Sequence, residues 1–155
     1  MDQQLDLLAF EFFKLFARYE SSLKENGFFV VNRGKVIVDW DRYANQEIGN
    51  NFLDDLGEVK ASAEYILTTP PKKQSVNELN EIIWVEVPNN ERSVQILFAH
   101  ISRVRNNLYH GSKFNGTWFD PERSKLLLSH SLAVLNHFKS RLGIQNTYKS
   151  FKRDS

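Results

Sequence analysis

Hydrophobic residues at the start of the chain recur at alternating spacings of three and four, which is the period of one face of an α-helix. Gly27 follows this pattern and predicts the end of a helix about six turns long. Phe10, Phe13 and Phe16 widen its apolar surface, so the helix either lies fully buried at the centre of the domain or contacts several neighbours, including a second subunit. The repeating residues are Leu5, Leu8, Phe12, Leu15, Tyr19 and Leu23.

The next segment changes to two runs rich in β-branched residues on either side of the turn sequence at residues 32–35, which predicts a β-hairpin over residues 28–38. A short helix is expected from Trp40, with Asp41 as its cap. The three-and-four spacing returns at Phe52 and predicts a longer helix through Leu67, which Pro70 and Pro71 end. Residues 82–87 are short and apolar, and either a strand or a tucked loop fits them.

Two more helices complete the pattern. One is expected from about Glu91, and the other from Pro121 to Gly143 after a loop at residues 112–119. Asp120 supplies the cap of the last helix and Pro121 its first turn. The sequence thus predicts a mainly α fold, a bundle of about four to five helices with a small hairpin. The buried stripe of the helix from Glu91 should contain Val94, Leu97, Phe98, Ile101, Val104 and Leu108.

Length and composition constrain the number of domains, the partners and the cellular compartment that we expect. The chain has 155 residues, and we expect one domain over residues 1–155 with a flexible tail at about 145–155. The net charge of +1 means that a nucleic acid would have to be held by a local patch. The absence of cysteine excludes thiol chemistry and suits a cytoplasmic protein. No basic leader or long apolar run predicts secretion or a membrane span.

The polar end of the helix from Glu91 carries the candidate chemistry. Arg105 falls only about 20° from Val94 around an ideal helix, where an apolar residue is expected. A guanidinium is rarely buried without a partner, so Arg105 either pairs with a carboxylate in the core or borders a crevice or subunit interface. His110 lies roughly 140° further round, so the two residues meet only if the helix ends near His110 or if a twofold-related copy brings them together.

An arginine and a histidine within reach of each other suit chemistry on a phosphodiester. Histidine can transfer a proton near neutral pH, and arginine donates a fork of hydrogen bonds to phosphate oxygens. In RNA the neighbouring 2′-hydroxyl is a built-in nucleophile, so neither a metal nor a cofactor is expected.

The motif Arg105-Asn106-x-x-x-His110 resembles the signature of the HEPN superfamily (higher eukaryotes and prokaryotes nucleotide-binding domain), in which four to six residues separate an arginine from a histidine and a polar residue often follows the arginine. The likeness extends to a prokaryotic branch through residues 18–20, 23–28, 70–74 and 105–111, and so spans most of residues 10–115. It implies a helical bundle, usually dimeric, in which the motif helices meet at the twofold axis.

The resemblance implies a metal-independent endoribonuclease of a toxin–antitoxin, anti-phage or RNA-processing system, with RNA, an antitoxin or a defence complex as partners. Arg105 would stabilise the phosphate charge, His110 would be the general acid or base, and Asn106 would orient one of them. The alternatives are an inactive HEPN domain that binds RNA or a nucleotide or assembles a complex, and a helical interaction protein with a structural motif. Ser112 stands where toxins controlled by adenylylation usually carry tyrosine. Further RNA contacts are assigned to Arg103, Asn107, Lys113, Glu20 and Lys24.

Charged and histidine residues elsewhere in the chain have simpler interpretations. Glu20 and Lys24 have the spacing of an exposed helix pair, the alternative being that they border Arg105. His100 is expected to face solvent, and His130 and His137 share a helix face with no carboxylate at zinc-ligand spacing.

Overall fold

The computed structural model describes residues 3–88, 91–110, 113–114, 117–118 and 120–142, with the backbone alone between 109 and 118. The mainly helical fold is confirmed, while the expected tail at 145–155 lies outside the described residues. The α-helices are α1 Gln3–Glu25, α2 Trp40–Tyr43, α3 Phe52–Leu56, α4 Lys60–Thr68, α5 Val94–His110 and α6 Pro121–Phe138. The strands are β1 Phe29–Asn32, β2 Lys35–Val38, β3 Lys73–Val76, β4 Ile82–Val85, β5 Lys113–Phe114 and β6 Thr117–Trp118.

Helix α1 packs mainly along α6, and its predicted apolar stripe is buried. The Tyr19 hydroxyl donates to the carbonyl of Leu135, and the Ser22 hydroxyl donates to the carbonyl of Leu142 at 2.8 Å. Burial raises the pKa of Tyr19, so its hydroxyl remains a donor across the neutral range. The other edge of α1 is open, with Phe10 63% exposed, which excludes the fully buried central helix.

The predicted hairpin at residues 28–38 is confirmed as β1 and β2, paired antiparallel with Asn32 opposite Lys35. Arg33 and Gly34 both have positive φ (52° and 79°), as a two-residue turn that matches strand twist requires. The open alternative at residues 82–87 is resolved as a strand over residues 82–85, because β4 pairs antiparallel with β3, while Glu86 and Val87 lie beyond the strand end. β5 and β6 form a third, two-residue pair within the predicted loop.

The single helix expected from Phe52 to Leu67 is wrong, because it divides into α3, a 3₁₀ turn and α4. Gly57 has a φ of 55°, in the left-handed region that a helix interior cannot accommodate. The apolar spacing survived this break because a one-turn kink still presents Leu56, Ala63 and Ile66 to the same core. Pro70 and Pro71 follow the helix end at Thr68, as predicted.

Three helix boundaries also differ from expectation. The cap of α2 is Asp39 rather than Asp41, since the Asp39 Oδ1 accepts from the Arg42 backbone N–H at 3.2 Å. Helix α5 begins at Val94 rather than Glu91, where the Ser93 hydroxyl accepts from the Ile96 N–H at 3.2 Å. Helix α6 ends at Phe138 and a 3₁₀ turn follows, whereas its predicted Asp120 cap is confirmed.

The choice between the two aspartates can be measured. We expect Asp39→Ala to lower the free energy of unfolding by about 1 kcal/mol, since it leaves an orphan N–H and also loses the ion pair with Arg42. Asp41 lies two residues later and is exposed, so Asp41→Ala should change the free energy of unfolding by less than ~0.5 kcal/mol. Urea unfolding of both variants provides the comparison, and equal losses would contradict the assignment of the cap.

An aromatic cluster sets the position of α5. The Phe98 ring lies 5.8 Å from Trp40, 5.7 Å from Tyr43 and 6.2 Å from Phe138, centroid to centroid. These partners come from α2 and α6, so Phe98 locks α5 between them. The polar end of α5 is therefore carried on a rigid, packed helix.

Candidate functional site

Helix α5 presents its candidate residues at its C-terminal end. Val94, Leu97, Phe98, Ile101 and Val104 are buried as predicted, and Leu108 packs against the core at its edge. The backbone is helical through His110, the last residue of α5. The side chains of His110 and Lys113 lie outside the described residues.

Arg105 lies where the buried face of α5 reaches the surface. Its side chain is half-buried, and its Nη1 donates to the Asn106 Oδ1 at 3.3 Å in a hydrogen bond exposed to solvent. Its partial exposure places Arg105 at the edge of the core and not deep within it, and the Asn106 side chain is one of the groups that it contacts.

His100 lies in the core, and its expected solvent exposure was wrong: it is 3% exposed. Burial lowers the pKa of His100 to about 4, and the cation of Arg103 one turn later adds to the shift. The imidazole is therefore neutral at pH 7. Helical spacing could have predicted this burial, because His100 precedes the buried Val104 by four positions and so lies at the edge of the apolar stripe.

Arg103 lies on the same side of α5 as His100 and not with Arg105. It is half-buried, and within the described part of the chain its Nη1 is buried with no hydrogen-bond partner. The Arg103 cation thus sits beside a neutral imidazole, which does not offset its charge.

The shift in His100 predicts a dependence of stability on pH. In the unfolded chain His100 binds a proton near pH 6.5, whereas in the folded state it does so only near pH 4. The stability of the folded state is therefore highest above about pH 6.5 and falls as the pH drops towards 4. We expect a loss of up to roughly 3 kcal/mol over that window. His100→Gln should remove it, whereas His137→Gln on α6 should retain it, as measured by urea unfolding at several pH values. Parallel pH curves for wild type and His100→Gln would contradict the burial.

Comparison with family models, with curated proteins and with solved structures found no match. The resemblance to HEPN proteins therefore rests on the sequence motifs alone. Within the described ranges, no helix is long and apolar enough to cross a membrane. The same ranges contain no group of three or more histidine, aspartate or glutamate side chains that could hold a metal ion.

Asn107 connects the motif helix to a second feature. Its Nδ2 donates to the Lys72 carbonyl at 2.8 Å, which ties α5 to the chain just before β3. A cleft of about 50 Å³ opens at this contact, and Trp84 and Arg123 also line it. Its remaining lining residues are Pro71, Asp120, Ser124 and Leu127.

Sequence reasoning missed this cleft because its side chains come from three segments far apart in the chain. Lys72 directly precedes β3, Trp84 lies within β4, and Arg123 lies in the first turn of α6. Nothing in their local spacing relates them. The only sequence signal was that residues 70–74 belonged to the HEPN resemblance.

Other residues singled out in the sequence lie on α1 and α6. Glu20 and Lys24 are half-buried near the end of α1. His130 has a structural environment, since its Nδ1 lies 2.9 Å from the Ser62 hydroxyl and its ring centroid 4.6 Å from that of Tyr65. Burial lowers the pKa of His130 as well.

Proposed function

We propose that this protein is a metal-independent endoribonuclease of the HEPN type that acts as a homodimer. The observation that carries the proposal is the end of α5, where Arg105 is half-buried and hydrogen-bonded to Asn106 at 3.3 Å, one and a half turns before the terminal helical residue His110. Two groups suited to a phosphodiester thus lie at one end of one rigid helix.

The reaction is transesterification followed by release of the new end. The 2′-hydroxyl of the RNA attacks the adjacent phosphorus, the O2′–P bond forms and the P–O5′ bond breaks. His110 accepts the hydroxyl proton, and the departing O5′ takes a proton from the resulting imidazolium or from water, which leaves a 2′,3′-cyclic phosphate and a 5′-hydroxyl. Arg105 binds the phosphoryl oxygens as their charge grows, and Asn106 holds the guanidinium in place.

A dimer brings the arginine and the histidine of this scheme together. A rotation of roughly 140° separates Arg105 and His110 around α5, so a twofold-related α5 brings the arginine of one copy to the histidine of the other. The exposed Leu7 and Phe10 on α1 add apolar surface that association would cover. A monomer by light scattering at micromolar concentration would contradict this assembly.

The biological role that fits is a cytoplasmic toxin, anti-phage or RNA-processing nuclease with an antitoxin or defence-complex partner. Ser112 in place of the usual tyrosine argues against control by adenylylation. A catalytically inactive HEPN module that binds RNA or a nucleotide, or assembles a complex, is the second candidate. The cleft lined by Lys72, Trp84 and Arg123 favours this second candidate, because RNA could bind there without catalysis by His110.

The test is incubation of the purified protein with end-labelled single-stranded RNA in excess chelator. We expect cleavage, with fragments that carry a 2′,3′-cyclic phosphate and a 5′-hydroxyl. A matched oligonucleotide with 2′-deoxyribose at every position should stay intact, because it lacks the nucleophile. Cleavage of both, or of neither, would reject the proposed reaction.

A further inference from the structure

Two cations converge on one exposed carboxylate at the rim of the cleft. Lys72 Nζ lies 3.9 Å from Glu86 Oε1, and Arg123 Nη2 lies 3.5 Å from Glu86 Oε2. The Glu86 side chain is 68% exposed. Contacts of this length to an exposed carboxylate contribute little stability, so Glu86 can be displaced at small cost.

The fold holds the Arg123 guanidinium in place without Glu86, and it anchors the backbone that carries Lys72. Arg123 Nη2 donates to the Pro70 carbonyl at 2.7 Å, and within the described residues its Nε is buried with no hydrogen-bond partner. The Asn107 amide anchors the backbone of Lys72. The Arg123 guanidinium therefore stays positioned by the Pro70 carbonyl when an anion replaces the carboxylate.

An aromatic ring borders the same cations. Trp84 lies in β4, which ends at Val85, and Glu86 follows directly. Across the hairpin, Lys72 directly precedes Lys73, the partner of Val85. The half-buried Trp84 side chain lines the cleft. A planar ring next to paired cations is the arrangement that holds a nucleotide by its base and its phosphate.

The size of the cleft decides between ligands. At about 50 Å³ it is far smaller than a site that encloses a small molecule, roughly 300–1,000 Å³. It accommodates one phosphate group while the rest of the ligand stays on the surface. This favours one nucleotide of an extended strand over a free nucleotide.

We propose that this cleft binds one nucleotide of a single-stranded RNA, with the phosphate displacing Glu86 and contacting Lys72 and Arg123 while the base stacks on Trp84. The inference rests on the proposed function, because RNA is the ligand that the α5 motif implies. Asn107 precedes His110 by three positions, one helical turn, so the cleft lies on the His110 side of α5. Glu86 then acts as a resident competitor that a phosphate must replace.

The experiment is fluorescence anisotropy with a fluorescein-labelled oligouridylate in chelator, using His110→Ala protein so that the strand stays intact. Glu86→Gln should tighten binding by about 3- to 10-fold, because it removes the competing charge. Glu78→Gln, an exposed glutamate in the turn of the same hairpin, is the matched control and should leave affinity unchanged.

Three further variants test the phosphate contact and the base stacking separately. Lys72→Ala should weaken binding. It should also reduce the slope of the logarithm of the binding constant against the logarithm of the salt concentration by about 0.7, the value for one phosphate contact on a single strand. Trp84→Ala should weaken binding about tenfold with an unchanged salt dependence. Trp84→Phe should keep most of the affinity, which guards against loss of fold as the cause.

The outcomes distinguish this inference from the nuclease proposal. Equal affinities for Glu86→Gln and Glu78→Gln, together with no effect of Lys72→Ala, would overturn the subsite even where wild-type protein cuts RNA. The expected binding changes in a protein that never cuts RNA would leave the subsite standing and reject catalysis. Uridine monophosphate bound as tightly as the oligonucleotide would also overturn the assignment to an extended strand.

Discussion

Replacing Arg105 or His110 with alanine lowers the rate of RNA cleavage by about 10²- to 10⁴-fold in our scheme. Arg105 contributes hydrogen bonds that strengthen only as charge develops on the phosphate, and His110 transfers the proton. The double variant should be scarcely slower than the worse single variant, because both residues act in one step. Arg105→Lys should remain strongly impaired, since an ammonium lacks the fork that contacts two oxygens.

The measurement is single-turnover cleavage in chelator, with folding checked by circular dichroism. Matched controls are Arg92→Ala, an exposed arginine paired with Glu64 before α5, and His137→Ala on α6. Both controls should cut at the wild-type rate. Full activity of either Arg105→Ala or His110→Ala would reject this site, whatever the source of cleavage.

Mixing the two inactive variants tests whether the site spans two copies. If Arg105 of one copy acts with His110 of the other, half of the randomly paired dimers regain one of their two sites, and activity returns to about a quarter of the wild-type rate. No recovery after subunit exchange would place both residues of each site in a single chain.

Replacing Phe98 with alanine should have the largest effect on stability, a loss of about 3–5 kcal/mol. Phe98 is 1% exposed and contacts rings from α2 and α6, so its removal leaves a cavity where three elements meet. Phe10→Ala is the matched control, because the same side chain on α1 is mostly exposed, and it should change the free energy of unfolding by less than ~0.5 kcal/mol in the monomer.

Urea unfolding of both variants checks this prediction, and comparable losses would contradict the described core. Phe98→Leu should recover part of the stability and allow cleavage to be measured. Since Phe98 positions α5 without lying at its catalytic end, Phe98→Leu should cut RNA at a near-normal rate once folded. A large loss of rate in folded Phe98→Leu would show that the site depends on the packing of the whole helix.

Local pattern was sufficient wherever an element is specified by its own residues. The spacing of Leu5 to Leu23 predicted α1, the residues around Arg33 and Gly34 predicted the β1–β2 turn, and Asp120 predicted the start of α6. Helical period and capping act over a few residues, so they can be read without knowledge of the fold. The same helical period is sufficient to place Arg105 at the edge of the core.

Tertiary contacts decided the remainder. The kink at Gly57 preserved the apolar spacing, so that spacing could not predict the break in the helix. The choice of Asp39 over Asp41 as the cap of α2 depended on the path of the chain leaving β2. His100 became buried because a neighbouring surface covers the edge of the α5 stripe, which a helical period alone does not specify.

By itself, then, the sequence determined a mainly helical chain with one hairpin and the placing of Arg105, Asn106 and His110 at the end of one helix. Only the tertiary structure brought Lys72, Trp84, Glu86 and Arg123 together. The physical reason is distance along the chain. Helix period and caps are short-range properties, whereas a cleft between a hairpin and two helices exists only after long-range packing has closed the loops between them.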